Sequence, residues 1–201
     1  MSEIQIKELA PELAGDYLGF FDRDAFTDNP HWASCYCFFC NFGGSDEAWG
    51  KRTRAQNRAA KKRLIEKGHA HGLLAYRDGR VVGWCHAAPR TTLDRVQLFD
   101  RRFPDVVRPD ANQGGSIVCF VVAPDQRRQG IARELLAGAC DLLKRQGLPF
   151  VETLPLKEPP KDDEKLSAAA HSYHGTLSMY EEAGFQQIGE AGPFAVMRKQ
   201  L

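Results

Sequence analysis

The chain lacks any long apolar run. No stretch approaches the roughly 20 consecutive apolar residues that span a bilayer, and the opening segment from Met1 to Glu8 has no apolar signal core. A cytoplasmic protein with no membrane partner is expected. Charge imbalance is also missing. The 27 Lys and Arg against 26 Asp and Glu leave a net charge of +1. Nothing in that balance calls for nucleic acid as a partner, so any basic site has to be local. Two nucleotide-binding signatures are absent as well: there is no Gly-x-Gly-x-x-Gly and no Gly-Lys-Ser/Thr. Internal repeats are not found. Six cysteines in 201 residues do not make a disulfide framework. In a reducing compartment such cysteines are buried, reactive or metal-bound rather than bridged.

What remains is ordinary globular composition, 43% hydrophobic and 26% charged. A chain of this length suits one domain, 1–201, and buries about 70% of its unfolded surface. Ile4 and Ile6 alternate with polar neighbours as a first strand does, and Pro11 opens a helix carrying Leu13, Tyr17, Leu18 and Phe21. A Cys/aromatic loop follows from 28, then a strongly basic helix capped near Ser45 and running to about Lys67. Asp78-Gly79 between two apolar runs signals a hairpin. Residues 89–114 read as a long surface connection. Ser116 to Val122 is a buried strand, Arg128 to Gln146 an amphipathic helix and Phe150 to Leu154 another strand. Residues 155–172 read as an insertion. A short helix from Thr176 to Ala183 and two strands, Phe185 to Gly189 and Phe194 to Arg198, close the chain. The mixture, with one β-α-β crossover, gives an α/β (α+β layered) sheet.

The strand ending at Val122 runs straight into Arg127-Arg128-Gln129-Gly130-Ile131-Ala132. A pyrophosphate needs several backbone N–H groups converging on one place, and a helix N-terminus supplies them. Gly130 would let the backbone approach without a Cβ in the way, and Ala132 keeps the next turn slim. Arg127 and Arg128 add charge from the side. A glycine at a helix start is by itself usually a plain turn. The whole pattern Val-x-Pro-x-x-Arg-x-x-Gly-x-Ala is much more specific.

At these residues the sequence resembles the GNAT superfamily of acetyl-CoA-dependent N-acetyltransferases. The family's Arg/Gln-x-x-Gly-x-Gly/Ala is matched by Arg127, Gly130 and Ala132. Gly83 falls in a strand where the family often has glycine. Tyr180-Glu181-Glu182-Ala183-Gly184-Phe185 is similar to its Tyr-x-x-x-Gly-Phe helix. The resemblance covers about 70 to 200. It implies a mostly antiparallel twisted sheet with a splayed parallel strand pair, and acetyl-CoA as acyl donor. It also implies donor contacts from Phe120, Val121 and Val122 and from the turn through Arg127, Arg128, Gln129, Gly130, Ile131, Ala132 and Arg133. The expected activity is acetyl transfer to a primary amine of a small molecule or peptide, by direct attack in a ternary complex. An acyl-CoA-binding sensor of the same fold is the alternative. Homodimers are common in the family.

The resemblance assigns Tyr180 as the acid that protonates the leaving thiolate, and it places Glu152 where some relatives carry the general base. His171 and His174 are rival bases. The backbone N–H near Val122 is implied as the oxyanion donor. Both carboxylate and tyrosine have bland readings too, a salt-bridged glutamate and a core tyrosine.

The segment His31-Trp32-Ala33-Ser34-Cys35-Tyr36-Cys37-Phe38-Phe39-Cys40 stands apart. His31 with Cys35, Cys37 and Cys40 offers soft ligands for zinc, but no second Cys or His pair follows downstream, so no metal is expected. Trp32, Cys35, Tyr36 and Cys37 are expected as a wall of the acceptor pocket. The bland alternative is a buried apolar loop, because free Cys packs as a small hydrophobe. The basic run from Lys51 to Lys67 is read as a solvated helix face.

Overall fold

The computed structural model describes residues 3–102, 104, 108–158 and 172–201. Apolar alternation builds one seven-stranded sheet in the order β1-β2-β3-β4-β5-β7-β6. Its strands are β1 (Gln5–Glu8), β2 (Leu73–Arg77), β3 (Arg80–Pro89), β4 (Gly115–Val122), β5 (Phe150–Thr153), β6 (Gln186–Ala191) and β7 (Phe194–Gln200). The β2–β3 hairpin turns at Asp78-Gly79, both at positive φ, as the Asp-Gly pair requires.

Every neighbouring pair is antiparallel except β4 and β5. These two pair in parallel only at Gly115↔Val151 and Ser116↔Glu152. Beyond that point β4 runs on to Val122 while β5 ends at Thr153, so the strands part. This is the mixed, mostly antiparallel sheet with a splayed parallel pair that the motif implied.

Helices cover both faces. On one lies α5 (Ile131–Arg145), whose Ile131, Leu135, Leu136, Ala139, Leu142 and Leu143 are buried against the strands. Each buried Ile or Leu among them contributes on the order of 1.5–3 kcal/mol when removed from water. The helix sits close because Gly83 of β3 has no side chain. A Cβ there would come within 2.9 Å of Ile131 Cγ2 and 3.1 Å of Leu135 Cδ1. The opposite face carries α1 (Ala14–Arg23) and α3 (Arg54–Glu66), packed over a second core around Tyr17, Phe21, Tyr36 and Trp84. Helix α6 (Leu177–Glu182) starts on a Thr176 hydroxyl that accepts from Met179 N–H.

Two expectations change. The basic helix is interrupted. Residues 46–50 form α2 (Asp46–Gly50), and α3 begins afresh on a capping box in which Thr53 and Gln56 exchange hydrogen bonds. It is also less solvated than expected, since Lys61 and Ile65 are buried. Within 89–114, α4 (Asp94–Arg102) is a helix rather than open loop, with Val96 buried and Arg90 paired to Asp100 beneath it. The expected insertion and His171 fall mostly outside the described residues.

Candidate active site

The splay opens onto a cavity of about 930 Å³. That is near the upper end of the roughly 300–1,000 Å³ typical of small-molecule sites. One bank is the free part of β4, Val118 to Val122, together with the turn and first residues of α5: Arg127, Arg128, Gly130, Ile131, Ala132 and Arg133. The other bank is the Cys/aromatic loop, including Trp32, Cys35, Cys37 and Cys40. The motif and the loop, read separately in the sequence, therefore face each other.

The α5 end has the form an anion site requires. Gly130 is the N-cap in the left-handed region at φ 83°, and Arg128 is also left-handed at φ 60°. Nothing lies within 4 Å of where a Cβ on Gly130 would stand. The first amide to bond back is Arg133 N–H, 2.9 Å from Gly130 O. Orphan N–H groups and the helix dipole thus meet an open space. The arginines differ. Arg127 is engaged, donating to Val122 O at 3.2 Å and pairing with Asp28. Arg133 pairs with Glu182 at 2.6 Å near the surface. Arg128 is exposed and makes no ion pair among the described residues. Gln129 does not border the cavity. Its amide accepts from Arg77 and donates to Asp125 O, tying the turn to β2.

The root of the splay is sealed. Phe120 N–H donates to Tyr173 O at 2.6 Å, so a short segment before α6 pairs with β4 where β5 has left. Tyr180 lies behind that segment. Its hydroxyl donates to His174 O at 2.6 Å and accepts from Thr153 at 2.9 Å, and burial holds its pKa well above that of a free tyrosine. Tyr180 is fully buried and does not line the cavity. Glu152 does not line it either. One carboxylate oxygen accepts from Arg90 at 3.0 Å and the other from Arg198 at 2.6 Å, all three side chains being nearly covered. His174 also sits off the cavity, and burial lowers its pKa to about 4, so it stays neutral.

The loop bank brings together residues far apart in sequence. Cys37 Sγ lies 3.4 Å from His86 Nδ1 on β3. The ammonium of Lys61, from α3, bonds the Cys37 carbonyl at 3.4 Å and Asn41 Oδ1 at 3.1 Å, over the rings of Tyr17 and Trp84. Cys119 of β4 completes the group, its thiol helping to lower the pKa of Cys37. Burial opposes a Cys37 thiolate. The Cys119 thiol, the His86 ring and the Lys61 ammonium outweigh it and bring Cys37 well below the usual thiol range. The neighbouring thiols move the other way: burial raises Cys35 to about 11 and Cys40 well above normal, and Cys37, with burial, raises Cys119. Tyr36 and Cys37 both hold positive φ, 48° and 45°, without being glycine. Each such residue costs roughly 1–2 kcal/mol.

Tyr36 itself turns away from the cavity into the second core. Its hydroxyl donates to Asp22 at 2.6 Å and accepts from Arg54 at 3.0 Å. Among the described residues no three His, Cys, Asp or Glu side chains converge on a metal position. Sequence reasoning missed Lys61, His86 and Cys119, along with the rings of Phe26, Phe39, Trp49 and Tyr173 that line the cavity. Lys61 and His86 stand in a helix and a strand that read as ordinary, and nothing in either segment alone marks them.

No curated protein sequence matches the chain significantly. Among solved structures, the chain is similar to a PaiA N-acetyltransferase from Thermoplasma acidophilum in complex with coenzyme A, at 14% identity and TM-score 0.53, over 99% of each chain. It is also similar to a GNAT family acetyltransferase from Listeria monocytogenes, at 15% identity and TM-score 0.59, covering 100% of this chain and 96% of that one. A mosquito arylalkylamine N-acetyltransferase-like protein matches at 12% identity and TM-score 0.59, over 99% of this chain and 100% of that one. At such identities the likeness concerns the fold. The family model for the Acetyltransferase (GNAT) family matches residues 31–185, most of the sequence, and the chain accordingly belongs to that family, whose acyl donor is acetyl-CoA.

Proposed function

We propose that the protein transfers an acetyl group from acetyl-CoA to an amine carried on an aromatic or otherwise apolar body. The observation that carries this reading is the joining of two banks in one cavity: an open helix N-terminus on one side, five aromatic rings from Phe26, Trp32, Phe39, Trp49 and Tyr173 on the other. Gly130, Ile131 and Ala132 offer backbone N–H groups for the donor's pyrophosphate, and Arg128 and Arg133 offer charge. The free edge of β4 offers backbone to the donor's amide arm, and a backbone N–H near Val122 is proposed to polarise the thioester carbonyl. The bound thioester supplies the activated acyl carbon.

An ammonium near its ordinary pKa of ~10.4 must lose a proton before it attacks. Among the described residues the cavity is lined by no carboxylate. Glu152, with both oxygens held by arginines, is assigned here to the scaffold. Tyr180 is assigned to holding the 172–175 segment, and it reaches a thiolate only by giving up His174 O.

The test is thiol release from acetyl-CoA across an amine panel. Arylalkylamines and aromatic amines are expected to drive release, and polyamines to leave it at background. Saturable acetyl-CoA binding with no amine raising release would overturn the enzyme reading in favour of a sensor.

A further inference from the structure

Four thiols, Cys35, Cys37, Cys40 and Cys119, border the cavity, and one of them differs from the rest. Cys37 alone has an imidazole against its sulfur, His86 Nδ1 at 3.4 Å. The other ring nitrogen, His86 Nε2, is buried without a partner, so Cys37 is the group that His86 addresses among the described residues. Lys61 is fully buried and brings its ammonium to the backbone of the same residue. The charged and titratable groups facing the pair include Lys61 from α3, Cys119 from β4, Cys35 and Cys40 from the loop, Tyr17 from α1, Cys85 from β3, His71 and His174. A cysteine paired with a histidine at a cavity wall is the arrangement of an activated nucleophile. No other chemistry described above uses it.

We propose that Cys37 is an acyl-accepting nucleophile, carrying the acetyl group from the CoA thioester to the amine as a covalent S-acetyl intermediate. The proposal rests on the acetyltransferase reading and adds a residue and a step to it. In the first step the Cys37 proton passes to His86 Nδ1, and the sulfur attacks the acyl carbon. The new Cys37 S–C bond forms as the C–S bond to CoA breaks. The CoA thiolate leaves with the electron pair and takes up the proton. In the second step the amine attacks the S-acetyl carbon, Cys37 leaves as thiolate, and the amine's proton returns to the Cys37–His86 pair. One thioester is exchanged for another, so the first step needs no oxidant and no second substrate. It also replaces direct attack in a ternary complex with two half-reactions. His86 acts through Cys37.

The experiment is a rapid quench of the full-length protein with acetyl-CoA and no amine, in the presence of a phosphine reductant, followed by peptide mapping. An S-acetyl group removable by hydroxylamine is expected at Cys37, at about 10-fold or more over any other cysteine. His86→Gln is expected to cut adduct formation while leaving acetyl-CoA binding unchanged. Cys37→Ser should bind acetyl-CoA, melt as a folded protein and carry no adduct. Mapping on the wild-type protein keeps the test independent of that variant's folding. Amine-dependent thiol release without a Cys37 adduct would overturn the proposal and leave the acetyltransferase reading standing. Equal labelling of all cavity cysteines would overturn it too. Absence of acetyl-CoA binding would overturn both.

Discussion

The two banks of the cavity are built by opposite means. The bank proposed for the donor is backbone: a strand edge, a left-handed glycine and the unpaired amides of one helix end, all within Gly115 to Arg133. The bank proposed for the acceptor relies on side chains: Cys37 and Cys119 at the wall, with His86 and Lys61 behind Cys37, arrive from a loop, two strands and a helix. A backbone site tolerates most side-chain changes and fails when the turn cannot form. A side-chain site fails one residue at a time. Binding of a common donor suits the first construction, and choice of acceptor suits the second.

Substitutions can break or sharpen that contrast. The largest effect is expected at the root they share. Glu152→Gln removes the charge between buried Arg90 and Arg198. Arg90 keeps Asp100 and Arg198 keeps Asp110, so the lost charge-assisted bonds cost about 2 kcal/mol, or roughly 4–8 °C in melting temperature for a chain of this size. A thermal melt measures that loss. A role as general base would instead flatten the pH–rate profile with the melt unchanged. Next comes Gly130→Ala, which forces a Cβ into φ 83°. It is expected to cost about 1 kcal/mol of stability and to weaken acetyl-CoA binding in a calorimetric titration, with the Cys37 alkylation rate unchanged. Tyr180→Phe gives up the bonds to His174 O and Thr153. About 1 kcal/mol is expected from denaturant unfolding, with a small fall in kcat; a large fall with full stability would return Tyr180 to the role of acid. The smallest effect belongs to Arg133→Ala. Its pair with Glu182 is mostly exposed, so stability should stay within about 0.5 kcal/mol, while donor affinity falls and weakens further with salt.

How much of this was legible follows the same division. The donor bank could be read because its chemistry lies in one contiguous run, with strand, turn and helix periods abutting. The sheet followed from alternation and the Asp78-Gly79 turn. The Cys/aromatic loop could be expected at a pocket wall, where it lies, but the partners of Cys37 could not be. His86 stands 49 positions from Cys37 and Lys61 stands 24 away, distances at which spacing carries no signal. Tyr36 looked equivalent to Cys37, yet consecutive left-handed residues send the two side chains to different places. Glu152 lies on β5 and Tyr180 on α6 as expected, but neither lines the cavity. Their partners, two arginines and a carbonyl, decide what they do, and those are tertiary facts. The break before α3 was written in Thr53 and Gln56 and went unread beneath the run of positive charge. Helix α4 was hidden by flanking prolines.

Gly83 has a consequence for the donor bank that reaches beyond packing. It pairs with Val122 across the β3–β4 register and lies directly under Ile131. One position therefore touches the strand edge and the first residue of the helix at once, and it works as a spacer of zero thickness between them. Any side chain there would act as a shim, lifting the start of α5 away from the strand. The gauge of the groove is set on a strand that does not itself line the cavity.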